Sequence, residues 1–249
     1  MPNMTVLVVT GGSKGIGAAV CRLAAARGYD VVVNYASDRA AAEQLVAEIE
    51  RAGGRAVAAG ADVSKEDDVA ELFEVADARG RLAGLVSNAG VTGDKLARLD
   101  EQDVDTVRRV LDVNVTGVFL CARAAVRRMS TRYGGHGGVI VNVSSTAAQR
   151  GSPGEWVHYA ASKAAVETMT KGLAQEVAAE GIRVNAVAPG MVETEMHARA
   201  DPDRLERVVP QIPMGRAGQP EEIAEGIIWL VSAASSFVTG SVLTISGGR

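Results

Sequence analysis

Cysteine is nearly absent from this chain of 249 residues: only Cys21 and Cys121 occur, each inside an apolar stretch. A disulfide framework and a CxxC redox pair are thereby excluded, and buried, inert thiols are expected. Histidine is as sparse. His136, His158 and His197 share no metal-ligand spacing, so no metal is expected. No run reaches about 18 uninterrupted apolar residues, which argues against a membrane span. Charge of either sign is also not in excess. With 26 Lys+Arg against 30 Asp+Glu the formal charge is −4, which offers no broad cationic field for nucleic acid or anionic lipid. The start, MPNMTVLVVTGG, enters a strand pattern with no charged leader region, and a cytoplasmic setting is the expectation.

What is present is a hydrophobic fraction of 47% and a rhythm. Short β-branched runs (4–10, 30–35, 55–62, 82–88, 138–145, 182–188 and 241–246) alternate with Ala-rich helical stretches (15–28, 38–52, 65–80, 101–132, 157–180 and 219–233). Apolar strands that do not alternate are buried on both faces. The prediction is an α/β fold of one domain over residues 1–249: a Rossmann-like, doubly wound sheet of seven parallel strands with helices on both faces. Residues 189–218, which carry four of the seven prolines, interrupt the rhythm at the carboxyl end of a strand. Ligand crevices form at that end of an open sheet, so a substrate lid is expected there; a solvated connector is the alternative.

Two constellations carry chemistry. Thr10-Gly11-Gly12-Ser13-Lys14-Gly15-Ile16-Gly17 joins the first strand to the first helix, where amide groups and the helix dipole converge on a site for a pyrophosphate. Its spacing, G-x-x-x-G-x-G, differs from the G-x-G-x-x-G fingerprint. The second is Tyr159-Ala160-Ala161-Ser162-Lys163, preceded by Ser144-Ser145 at the end of strand five. Positions i and i+4 share a helix face, and an ammonium beside a phenol favours phenolate, which suits Tyr159 to general acid/base work. A nearby serine hydroxyl can position a carbonyl. Alone, Y-x-x-x-K far more often describes an amphipathic helix with a snorkelling lysine; beside the glycine turn it reads as a site.

These residues resemble the short-chain dehydrogenase/reductase family, in its TGxxxGxG and YxxxK branch. The likeness runs the length of the chain through TGGSKGIG (10–17), Asp62-Val63, SNAG (87–90), Asn114 in VNVTG, VNVSS (141–145), YAASK (159–163), RVNAVAPG (183–190) and TGSVLTISGG (239–248). It implies a catalytic set of Asn114, Ser145, Tyr159 and Lys163, with Tyr159 as acid/base, Lys163 lowering its pKa and holding ribose, and Asn114 anchoring a relay water. The register leaves Ser144 open as the serine. For the coenzyme it implies Gly11, Ser13, Lys14, Gly15, Ile16 and Gly17; Asn34, Tyr35, Ala36 and Ser37 after strand two; Asp62 and Val63 beside adenine; Asn88, Ala89 and Gly90 at the ribose; and Pro189, Gly190, Val192 and Thr194 at the nicotinamide. The reaction implied interconverts a ketone and a secondary alcohol on a small molecule, by a homotetramer. A non-catalytic nucleotide sensor of the same fold is the alternative, and the intact catalytic set argues against it.

The expected coenzyme is NADP(H). The place where an acidic residue would hold the 2′-hydroxyl of NAD falls on Tyr35. Lys14 sits where NADP-preferring relatives carry a base, with Ser37 and Arg39 near, and Asp38 reads as the N-cap of the following helix. The substrate walls are expected in 91–96, 147–156 and 191–209. Trp156, Met191 and Met196 suggest an apolar wall, and Glu155, His158 and His197 suit hydroxyls; equally, His158 and Trp156 simply pack the loop before the helix. The sequence lies near 3-oxoacyl-carrier-protein reductases and glucose 1-dehydrogenases. Glu176 and Glu180 close the catalytic helix where an acidic carrier would want bases, which weighs against the carrier reading.

Overall fold

A computed structural model describes residues 5–93, 95–194 and 203–249. Seven strands form one sheet: β1 Thr5–Val9, β2 Asp30–Tyr35, β3 Arg55–Gly60, β4 Arg81–Ser87, β5 Gly138–Val143, β6 Ile182–Pro189 and β7 Val242–Ile245. Their order is β3-β2-β1-β4-β5-β6-β7 and every pairing is parallel. The chain leaves β1 toward β2 on one side and reaches β4 on the other, so the order reverses between β1 and β4. A crevice opens at the carboxyl ends of strands at such a point.

Strand β1 shows how the sequence covers both faces. Leu7 and Val9 lie in one core layer with Val31 and Val33, and Val6 and Val8 lie in the other with Val32. Side chains of period two meet apolar cover on either side, which is why an unbroken TVLVV is needed. Helices α1 (Gly15–Ala26), α2 (Arg39–Arg51) and α9 (Pro220–Val231) close the first layer; α3 (Glu66–Arg79), α5 (Gly117–Met129) and α7 (Val157–Val177) close the second. In α2 the buried positions Ala42, Leu45 and Ile49 recur at helical spacing. Both cysteines sit in these layers, and burial pushes the Cys121 thiol up to about 12 and Cys21 further still.

The span 101–132, predicted as one helix, is divided. Helix α4 (Val104–Leu111) passes through a single widened π turn, Asp112–Thr116, into α5. The cause lies with Asn114, fully buried in that turn. Its amide grips the backbone of Val91 on both sides, accepting from the N–H at 2.8 Å and donating to the carbonyl at 2.9 Å. Such a bulge re-aims one residue without ending the helix.

After β6 the chain forms a small lobe. Met191, Val208, Ile212 and Ala217 make a separate apolar cluster, around the short helix α8 (Arg204–Val208) and a bridge between Val192 and Gly218. Met196 and His197 lie outside the described residues. Among the described residues no helix is long and apolar enough to cross a membrane.

Candidate active site

A cavity of about 1110 Å³ occupies the crevice, running from the glycine turn past the ends of β4 and β5 to α7 and the small lobe. At its coenzyme end two asparagines strap the turn. Asn34, buried at the end of β2, accepts from the Gly11 N–H at 3.1 Å and donates to the carbonyls of Ala59 and Ala61. Asn88 donates to the carbonyls of Thr10 and Gly11 from the other side, while the Thr10 hydroxyl accepts from the Asn88 and Ala89 amides. The turn is therefore fixed before any ligand arrives.

Its glycines are required by close approach. A Cβ on Gly17 would lie 2.3 Å from the Gly11 carbonyl oxygen, and one on Gly11, where φ is +58°, would lie 2.9 Å from Ala89 Cα. A side chain on Gly90 would meet Asn114 Oδ1 and Lys163 Nζ at 3.3 Å. Helix α1 begins with no side-chain cap, so its first-turn amides face the crevice unserved by the chain's own N-cap. An elongated dinucleotide with a pyrophosphate at its middle fits this floor of bare backbone.

The structure brings Gly11, Lys14, Gly15, Ile16, Asn88, Ala89, Gly90, Ser145, Tyr159, Lys163, Pro189, Gly190, Val192 and Thr194 onto one cavity wall. The other residues expected at the coenzyme stand apart from it. Asn34 is the strap just described, and the Tyr35 ring lies over Gly60. Ala36 and Ser37 are exposed beyond β2. Ser13 and Gly17 belong to the turn and do not line the cavity, nor does Val63, which is buried against Gly117. Asp62 accepts from the Ser64 hydroxyl and amide and is paired with Arg109 at 3.1 Å. Burial raises its carboxyl pKa, but these donors outweigh burial and hold it below the usual carboxylate value.

Asp38 does cap α2, accepting from the Ala41 amide at 3.0 Å. Its other carboxylate oxygen pairs with Lys14 Nζ at 2.7 Å, a contact that sequence spacing did not reveal. The residue chosen to hold a 2′-phosphate and the residue set aside as a cap thus form one ion pair.

At the catalytic end the two serines diverge. Ser144 is buried, its hydroxyl donating to Glu167 at 2.9 Å and to the Lys163 carbonyl at 3.2 Å. The Ser145 side chain instead lines the cavity with Tyr159 and accepts from the Ala147 amide. Lys163 is buried, donates to the Val143 carbonyl at 2.8 Å, and lies 5.6 Å from the centre of the Tyr159 ring. Burial lowers its pKa to about 8. Burial also pushes Tyr159 above an ordinary phenol, against the opposing effects of the Ser145 side chain and the positive charge of Arg204. The expected lowering by Lys163 is not among the causes of this shift: its buried amine is turned to the Val143 carbonyl. Asn114 does not line the cavity, but its amide also donates to Ser162 at 3.0 Å and so ties α7 to the end of β4.

The substrate walls hold residues that the motifs could not announce. His158 packs, bonded through Nε2 to the Thr92 carbonyl at 2.8 Å. Glu155 is paired with Arg204 at 2.7 Å, and that guanidinium stacks 4.4 Å above the buried Trp156 ring. Arg150 and Arg249 join them on the cavity lining. Only tertiary folding brings positions 150, 204 and 249 together, and no sequence pattern encodes it.

Residues 11–249 match the family described as Enoyl-(Acyl carrier protein) reductase. An uncharacterized oxidoreductase, YgfF, of Escherichia coli (strain K12) is 49% identical over 99% of this chain and 100% of its own length. A 3-oxoacyl-[acyl-carrier-protein] reductase of Synechocystis sp. is 41% identical, over 98% of this chain and 96% of that one. A dehydrogenase/reductase from Sinorhizobium meliloti 1021 has a solved structure that superposes with a TM-score of 0.90 at 37% identity, covering 100% of this chain and 95% of that one.

Proposed function

The chain belongs to the short-chain dehydrogenase/reductase family of oxidoreductases, and from that premise we propose that it interconverts a ketone and a secondary alcohol with NADP(H), through Tyr159. The observation that carries this reading is the Ser145–Tyr159 hydroxyl pair on the cavity wall beside Lys163. Two hydroxyls at one point suit a single oxygen that changes from carbonyl to alcohol.

When bound, a nicotinamide supplies or accepts the hydride. The chain's own residues do the rest. Ser145 donates a hydrogen bond to the substrate oxygen and sets the carbonyl carbon in place. In reduction, Tyr159 Oη gives its proton to that oxygen as negative charge develops there. Its raised pKa keeps the proton on the phenol until then. Lys163, with a pKa of about 8, exchanges protons near neutrality and restores the phenol. Asn114 is a positioning residue: through Val91 and Ser162 it fixes the distance between the end of β4 and the catalytic helix. The glycine turn with Asn88, Ala89 and Gly90 would hold the coenzyme's phosphates and ribose, and Pro189, Gly190, Val192 and Thr194 would meet its nicotinamide. The small lobe after β6 serves as the substrate lid.

NADP(H) rests on Lys14 and on the lack of an acidic residue at Tyr35. A homotetramer rests on the family and on apolar side chains at the surface, among them Phe119, Trp229 and Phe237; sedimentation at micromolar concentration reads it. The activity is tested by mixing the purified protein with NADPH and a panel of sugars, β-ketoacyl thioesters, diketones and steroids, following coenzyme absorbance. Turnover of at least one carbonyl is expected. Tight coenzyme binding with no turnover of any carbonyl or alcohol would favour a sensor instead.

A further inference from the structure

Three guanidinium groups meet at the substrate end of the cavity, on a chain whose net charge is −4. Arg150 ends the short helix that follows Ser145 and is exposed. Arg204, buried, opens α8 beside Trp156. Arg249 comes from the segment after β7, which is held against the small lobe: Met214 N–H donates to the Gly247 carbonyl at 3.1 Å, and Gly248 packs on Pro213. Among the described residues of the lining, Glu155 is the carboxylate side chain that stands with them, and it is paired with Arg204. The acidic residues elsewhere on the lining are engaged locally, Asp103 as the cap of α4 and Asp105 with Arg108.

Like charges at close quarters repel. Burial and the neighbouring charges of Arg150 and Arg204 pull the Arg249 guanidinium below its usual pKa. Arg249 Nη2 donates to Gln211 at 3.0 Å, but its Nε is buried with no hydrogen-bond partner. A buried donor without an acceptor is costly, and guanidinium groups present forks that match an oxyanion. Folding alone gives no reason to gather these charges; an incoming anion does.

We propose that the substrate carries an anionic oxyacid group, carboxylate or phosphate, at the end remote from its reacting carbonyl, and that Arg150, Arg204 and Arg249 hold it. This rests on the ketone–alcohol reading above and narrows it. Arg204, fixed by Glu155 and by the Trp156 ring, which in turn meets Tyr159 edge-on with centroids 6.3 Å apart, ties the anion subsite to the catalytic hydroxyl. Arg150 and Arg249 bring two further guanidinium groups to the same end of the cavity.

The test pairs charged and neutral probes on the intact protein with NADPH. One arm takes keto acids with one to four carbons between carbonyl and carboxylate, each against its methyl ester; the other takes dihydroxyacetone phosphate against dihydroxyacetone. At one spacing or more, kcat/KM for the anion is expected to exceed that of its neutral partner by tenfold or more. Arg150→Gln and Arg249→Gln are each expected to cut that ratio about tenfold, the neutral probe reporting on folding and chemistry. The arm that shows the preference identifies the oxyacid. Ratios at or below one in both arms, or ratios that neither substitution moves, would overturn the proposal. A second readout does not need turnover: the favoured anion should raise the melting temperature, and Arg150→Gln should abolish that rise. A melting shift by anions without turnover of any probe would retain the anion subsite and count against the ketone–alcohol reading.

Discussion

The two ends of the cavity are built by opposite means. The coenzyme end is backbone: glycines with no room for a Cβ, and two asparagine straps that join the turn to β2 and β4. The end proposed for the substrate is side chain: Tyr159 and Ser145, proposed as catalytic, an Arg204–Glu155 pair over a tryptophan, and two further arginines from distant parts of the chain. A floor made of backbone accepts one ligand shape and tolerates few substitutions. A wall made of side chains can change its ligand without touching the sheet. The same fold can therefore keep its coenzyme while its substrate varies.

The sharpest way to separate the two ends is to remove chemistry and leave binding. Tyr159→Phe keeps the ring beside Trp156 and loses only the proton donor. Turnover should fall by about 10²–10⁴-fold or more, the usual worth of general acid catalysis, while coenzyme affinity stays within about threefold. A variant keeping a tenth of wild-type activity would remove Tyr159 from its role. The converse experiment is Gly17→Ala, which sets a Cβ 2.3 Å from the Gly11 carbonyl oxygen and 2.6 Å from Asn88 Nδ2. Overpacking of this kind costs about 1–3 kcal/mol; if that strain falls on the bound turn, coenzyme should bind roughly 5–150-fold more weakly. Circular dichroism checks that the variant is folded, and titration by fluorescence gives the dissociation constant. An unchanged constant would mean that the turn adapts freely.

Lys163 stands where the two ends meet, and its titration joins them. As the proposed ribose ligand it donates a charge-assisted hydrogen bond only when protonated, and burial sets its pKa at about 8 in the free protein. It is an ammonium below that value and a neutral amine above. The kcat/KM for NADPH, which reports on free-enzyme ionisations, should therefore be level below pH 8 and decline above it. Lys163→Met should lower the whole profile and erase the inflection near 8. An inflection that survives the substitution belongs to another group. The stability sign is opposite: a lysine whose folded pKa is depressed holds fewer protons than in the unfolded chain, so its penalty is relieved as pH rises from about 8 toward 10.5.

How much of this could be read beforehand follows the same division. Seven strands, their parallel order and the glycine turn are legible because each is a local demand: unbroken apolar strands buried on two faces, and glycine where no Cβ fits. Tyr159 and Lys163 are legible because one helix holds both. The break in 101–132 is not, since helix propensity cannot show that Asn114 will turn inward to grip Val91. Ser144 and Ser145 are adjacent in sequence and separate only when Glu167 and Lys163 claim the first. The arginines at 150, 204 and 249 meet only through the packing of the small lobe.

The Lys14–Asp38 pair is the case where sequence logic saw both partners and missed the bond. At 2.7 Å, with about two-fifths of each side chain exposed, such a pair contributes about 0–1 kcal/mol after solvent screening. A charge-assisted hydrogen bond from Lys14 to a 2′-phosphate is worth about 1.5–3 kcal/mol. The phosphate therefore wins Lys14, but Asp38 stays close by and repels it, so the preference for NADPH over NADH should be modest, on the order of tenfold. Asp38→Ser tests the balance cleanly, because serine also caps a helix and removes only the carboxylate. The NADPH/NADH ratio of kcat/KM should rise severalfold in Asp38→Ser and fall to one or below in Lys14→Ala. If Asp38→Ser instead depressed NADH and left Lys14→Ala without effect on the ratio, the carboxylate would be holding the ribose hydroxyls of NAD, and Lys14 would be no more than its surface partner.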